Sequence, residues 1–145
     1  MAPMQKRAWW GLIIGSAFAA AFAIVFIVRG GIETFDTDTG FRLIIDGLML
    51  AALVVSLVLV NIPIRNRRLA DERDIRVFEQ APRIQWLAVI FTLVGWTIGL
   101  TEYYHGTRLV PSVWLYIVFM SVLIVSTLAQ SLGIIIGYRR IERGE

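Results

Sequence analysis

Four long apolar runs organise the sequence: Ala8 to Val28, Phe41 to Ile62, Ile84 to Thr101 and Leu109 to Tyr138. At 1.5 Å of rise per residue, crossing a hydrocarbon layer of about 30 Å takes roughly 20 helical residues. Each run therefore predicts one spanning helix, over residues 8–28, 41–62, 84–101 and 109–138. The third is short but can begin at Pro82, because proline suits the first turn of a helix. The fourth is longer than a bilayer needs, so it must tilt or project its end into the headgroups or the cytosol. Lys6 and Arg7 ahead of the first run give it the look of a signal peptide, yet the run exceeds an h-region of about 7–15 residues and three more follow it. The predicted fold is an all-α integral membrane four-helix transmembrane bundle, one domain over residues 1–145.

Charge sets the expected orientation. Lys6, Arg7, Arg65, Arg67, Arg68, Arg73, Arg76, Arg83, Arg139, Arg140 and Arg143 fall on one side of the runs; only Arg29, Arg42 and Arg108 fall on the other. The positive-inside rule then places both termini and the middle loop in the cytoplasm, an N-in/C-in topology in the cytoplasmic (inner) membrane. Trp9, Trp10, Trp86 and Tyr138 map to the inner interface on this reading, and Tyr103, Tyr104 and Trp114 to the outer one.

Composition narrows the chemistry. Hydrophobic residues make up 57% of the chain and charged residues 17%, well to the apolar side of a soluble domain. With no cysteine there is no disulfide framework, thiolate metal site or iron–sulfur cluster. One histidine, His105, excludes bis-histidine haem ligation within a single chain. The basic pI near 9.8 arises from cations at membrane ends, where they set topology and attract anionic headgroups, so a nucleic-acid partner is not expected. No phosphate-cradling glycine loop, nucleophile elbow or HExxH element occurs, and no Ser–His–Asp constellation is supported. The reading is a non-enzyme with no cofactor and no metal of its own.

Within the spans, small residues recur at four-residue spacing: Gly11 and Gly15, continued by Ala19 and Ala23; Gly95 and Gly99; Gly133 and Gly137. Lipid gives helices no hydrophobic reason to associate, so close backbone approach at small residues supplies much of the packing. These stripes either join the four helices to each other or offer a face to a partner. Ser126, Gln130, Gly133 and Gly137 share one helical face, and Gln130 can bond to another helix or line a small wet cavity.

Asp46 is the one ionisable residue set clearly inside a span, about 7–8 Å below Phe41. It is either a proton- or cation-binding carboxylate or half of a salt bridge with Arg42, four positions earlier on the same face. In the loops, Glu33, Asp36 and Asp38 form a short acidic segment with too few fixed ligands for a calcium loop, and His105 reads as a solvated or pH-sensing side chain.

The middle loop, residues 63–83, carries charges at i, i+4 spacing (Arg68 to Glu72, Glu72 to Arg76, Glu79 to Arg83) beside an apolar stripe of Ile75, Val77, Phe78 and Ala81. It predicts a short amphipathic helix on the inner leaflet leading through Pro82 into the third span, with Arg68, Glu72, Arg73 and Arg76 as a docking or lipid-contact surface. The cluster Asp71-Glu72-Arg73-Asp74 and the stretch that follows, over residues 69–101, resemble uncharacterised small four-helix bacterial and archaeal predicted membrane proteins, in which a DER-type cluster likewise separates two helix pairs. That resemblance implies four helices and no particular chemistry.

The first span has no acid of the kind small multidrug transporters require, the charge asymmetry opposes the dual topology of fluoride channels, and no TVGYG-like filter is present. Two functions remain. One is a non-catalytic accessory, scaffold or regulatory protein that packs through small-residue faces, in a homo-oligomer or a larger membrane-protein complex within the lipid bilayer. The other is a small transporter or channel component that uses Asp46, and Gln130 along a polar path.

Overall fold

The computed structural model describes residues 3–61, 72–106 and 109–142. Among them the chain forms five helices and no strand: α1 Pro3–Val28, α2 Ile32–Phe35, α3 Thr39–Asn61, α4 Glu72–Tyr103 and α5 Val113–Glu142. Four are long and apolar enough to cross a membrane, over Gln5–Val28, Thr39–Val58, Ala81–Tyr103 and Val113–Arg140. The four expected helices are therefore present, with altered boundaries.

Local chemistry explains the boundaries. α1 stops at Gly30 and Gly31, whose φ angles of 93° and 73° lie in the left-handed region that glycine enters without steric cost. The Gly31 amide donates back to the Phe26 carbonyl at 2.9 Å, the 6→1 bond of a Schellman stop. Asp38 then caps α3, its Oδ1 accepting from the amides of Gly40 (2.8 Å) and Phe41 (3.1 Å). α5 starts at Val113 rather than 109, because the ring of Pro111 disfavours helical backbone at Val110 before it; the Pro111 carbonyl accepts from the Trp114 amide to open the first turn.

α4 begins twelve residues ahead of the expected third span and continues without a break through Pro82. The expected inner-leaflet helix and the third span are thus one 32-residue helix. Arg68 lies outside the described residues. Glu72, Arg73 and Arg76 belong to the first turns of α4, and their side chains fall outside the description.

α5 is the central element, packing most extensively on α4, next on α1, and more lightly on α3. Two apolar clusters hold the ends together. Where the chain's two termini lie, Ala8, Ala81, Ile134, Ile135 and Tyr138 join α1, α4 and α5. At the opposite end Phe35, Phe41, Ile45 and Val113 join α2, α3 and α5, with Phe22, Val25 and Phe26 of α1 against them. Aromatic rings interlock there: Phe35 stands edge-on to Phe41 at 5.5 Å and Tyr116 lies 5.0 Å from it.

Between the clusters the helices meet through polar groups. Gln85 Nε2 donates to Ser126 Oγ (2.6 Å) and Trp96 Nε1 to Ser121 Oγ (2.7 Å), both joining α4 to α5. Ser56 and Thr127 hydroxyls lie 3.5 Å apart across α3 and α5. Thr92 and Thr97 return their hydroxyls to carbonyls four residues back. Large apolar side chains such as Ile27, Leu43, Val54, Phe91 and Leu115 instead face outward. Polar contacts inside and an apolar circumference are what a lipid solvent selects.

Candidate functional site

Three of the small-residue positions are consumed by internal packing. A Cβ on Gly11 would collide with Ser131 Oγ, and one on Gly15 would stand 3.0 Å from Leu128 Cδ2, so α1 lies directly on α5 at these positions. Gly133 performs the same service for α4: its Cβ would meet the Ala81 Cα and the Ile84 Cδ1, each at 3.3 Å. Gly137 is half-buried. The α5 face that carries Ser126, Gln130 and Gly133 is thus largely the α4 contact face, as Gln85 at Ser126 and Ala81 at Gly133 show.

Gly95 and Gly99 differ. Nothing lies within 4 Å of a Cβ built at either one. Around them on α4, Leu87, Phe91, Val94 and Ile98 are exposed, and the most apolar stretch of this helix contains no buried residue. The result is a smooth apolar face, notched by two glycines, that no other described helix covers.

The candidate ion site is not assembled as a unit. Arg42 turns away from Asp46: its guanidinium donates to the Asp36 carbonyl (3.0 Å) and stands 5.9 Å over the Phe35 ring. The expected Arg42–Asp46 salt bridge does not form. The ion pair at this end joins Arg29 to Asp38 at 3.7 Å. Asp46 is half-buried and makes no ion pair or hydrogen bond with any described residue. Gln130 is also half-buried and makes no such bond; Gln85 is the amide that bridges two helices.

The acidic segment is engaged by protein groups. Asp38 caps α3 and pairs with Arg29, while Asp36 Oδ1 accepts from Ser112 Oγ at 3.2 Å, tying the α2 turn to the start of α5. Among the described residues, no group of three or more potential metal ligands converges. His105 is exposed in the turn after α4. Nearby, Trp114 Nε1 donates to Tyr104 Oη at 2.7 Å and clamps that turn to α5.

Gln85 and Trp96 carry interhelical bonds that the sequence reading did not single out. A lone amide and a mid-run indole in an otherwise apolar stretch are the signals that could have found them, since a buried N–H needs an acceptor. The geometry defines a small helical bundle with four span-length helices. No known protein family matches the chain, and neither a curated protein nor a solved structure does.

Proposed function

We propose that the protein is a non-catalytic accessory, scaffold or regulatory subunit of a multi-pass kind, set in the cytoplasmic membrane with both termini inside. It packs against a second copy of itself or a larger membrane complex. The observation that carries this reading is the α4 face at Gly95 and Gly99. The other well-placed glycines are used up holding α1 and α4 on α5, whereas these two leave room for an approaching helix backbone. In lipid, close approach at small residues is a principal source of association energy.

The test is the mass of the complex in mild detergent or nanodiscs, for wild type and for the double variant Gly95→Leu/Gly99→Leu. Filling the notch converts a discrete complex into monomer. Gly47→Leu, placed at an open glycine on α3, leaves the complex intact. A double variant that keeps the wild-type mass refutes the docking face.

Asp46 favours a second reading, a transporter or channel component. A carboxylate within a span is costly, and Asp46 has no counter-charge among the described residues to offset that cost. On this reading Asp46→Asn abolishes a proton or cation flux in proteoliposomes while the fold persists. Unchanged flux, or no flux in wild type, removes the second reading and leaves the first.

A further inference from the structure

The two ends of the bundle differ in charge, eleven of the fourteen Lys and Arg residues lying at one of them. At the end with the α1–α2–α3 turn, Arg29 pairs with Asp38 and Arg42 is held by the Asp36 carbonyl and the Phe35 ring. At the terminal end, the contact of Ala8, Ala81 and Tyr138 draws three helices together and brings Lys6 and Arg7 of α1, Arg83 of α4, and Arg139 and Arg140 of α5 to one level. None of these five forms an ion pair or hydrogen bond with a described residue.

The whole sequence repeats the contrast. The segments at the terminal end hold eleven of the fourteen Lys and Arg residues and six of the eleven acids, a net +5, against −2 at the other end. Trp9, Trp10 and Trp86 stand exposed at this same end, the side chains that settle at headgroup depth.

We propose that this seam binds anionic phospholipid headgroups, and preferentially a lipid with two phosphates, which staples α1, α4 and α5 together. Guanidinium groups on separate helices offer forked donors to phosphate oxygens. One diphosphate headgroup reaches cations on two helices at once, whereas two single-phosphate lipids must each be ordered separately. Ligand binding to the folded state alone raises stability. The inference is independent of the α4 docking face and rests only on the chain residing in a bilayer.

The experiment follows tryptophan-reported unfolding of the full chain in nanodiscs, after co-elution with the discs establishes insertion. Discs of phosphatidylcholine are compared with discs that also hold phosphatidylglycerol or cardiolipin at equal total negative charge. Cardiolipin raises the midpoint by about 5 °C or more over the charge-matched disc. Arg139→Gln/Arg140→Gln removes at least half of the gain, and Arg29→Gln keeps it. Native mass spectrometry of the wild type retains cardiolipin and sheds phosphatidylglycerol. Equal midpoints in the two anionic discs overturn the proposal, as does equal retention of the two lipids, which tests it even if the double variant fails to fold. So does the same gain from pyrophosphate in phosphatidylcholine discs, which would mark a site for soluble anions.

Discussion

Gly11 and Ser131 provide a sharp test of how α1 sits on α5. A methyl group at Gly11 runs into Ser131 Oγ, and the Ser131 Cβ lies 3.5 Å away, an ordinary contact distance. Gly11→Ala must therefore push the helices apart or swing Oγ off the Thr127 carbonyl, to which it donates at 2.8 Å. Overpacking costs about 1–3 kcal/mol, and a lost hydrogen bond about 0.5–1.5 kcal/mol. Alanine returns about 1 kcal/mol of helix propensity, so the single variant is destabilised by roughly 0–2 kcal/mol. Ser131→Ala is close to neutral alone, since its hydroxyl bonds only within its own helix and Thr127 O keeps the backbone donor of that turn. The double variant removes the collision and keeps the propensity gain, so it is more stable than wild type by about 1 kcal/mol. The coupling in the double-mutant cycle is then about 1–3 kcal/mol. Denaturant unfolding in mixed micelles, followed by tryptophan fluorescence, measures all four proteins. Strict additivity would refute the contact.

Four other substitutions probe the opposite end. Phe35→Ala removes a fully buried ring from a four-residue helix and costs about 3–5 kcal/mol, although its sequence context is a polar loop; the same unfolding assay reads it. Gly30→Ala places a side chain at φ 93°, against Thr34, and lowers stability by at least about 1–2 kcal/mol. Arg42→Ala loses its bond to Asp36 and its place over Phe35, at about 1 kcal/mol. Asp46→Asn does not lower stability, because no ion pair is lost and a carboxylate without a counter-charge among the described residues is removed from the span. Equal losses for the last two would mean that they pair after all.

The spans were legible because their length is set by bilayer thickness and their composition by lipid, and neither depends on tertiary detail. Boundaries depended on single residues: proline at 111 delays α5, while Pro82 fails to interrupt α4, whose helix continues on both sides of it. Helix α2 was hidden because one turn of helix leaves no periodic signal, and with it went the partners that divert Arg42 from Asp46. Spacing of four residues permits a salt bridge but cannot show a nearer carbonyl and ring contributed by another segment. The glycine stripes had the same ambiguity. Sequence places Gly11, Gly95 and Gly133 in equivalent patterns, and only the three-dimensional packing separates the covered glycines from the open pair on α4.

Contact of that open face with another protein in the native membrane is the claim on which the functional account depends most. The chain has no cysteine, so Ile98→Cys on the α4 face and Ile24→Cys on an exposed face of α1 are clean attachment points for a short bifunctional cross-linker. A discrete, stoichiometric adduct from position 98, with none from position 24, is the predicted result. Position 98 reacting no more than position 24, with the chain recovered as monomer, would contradict the account.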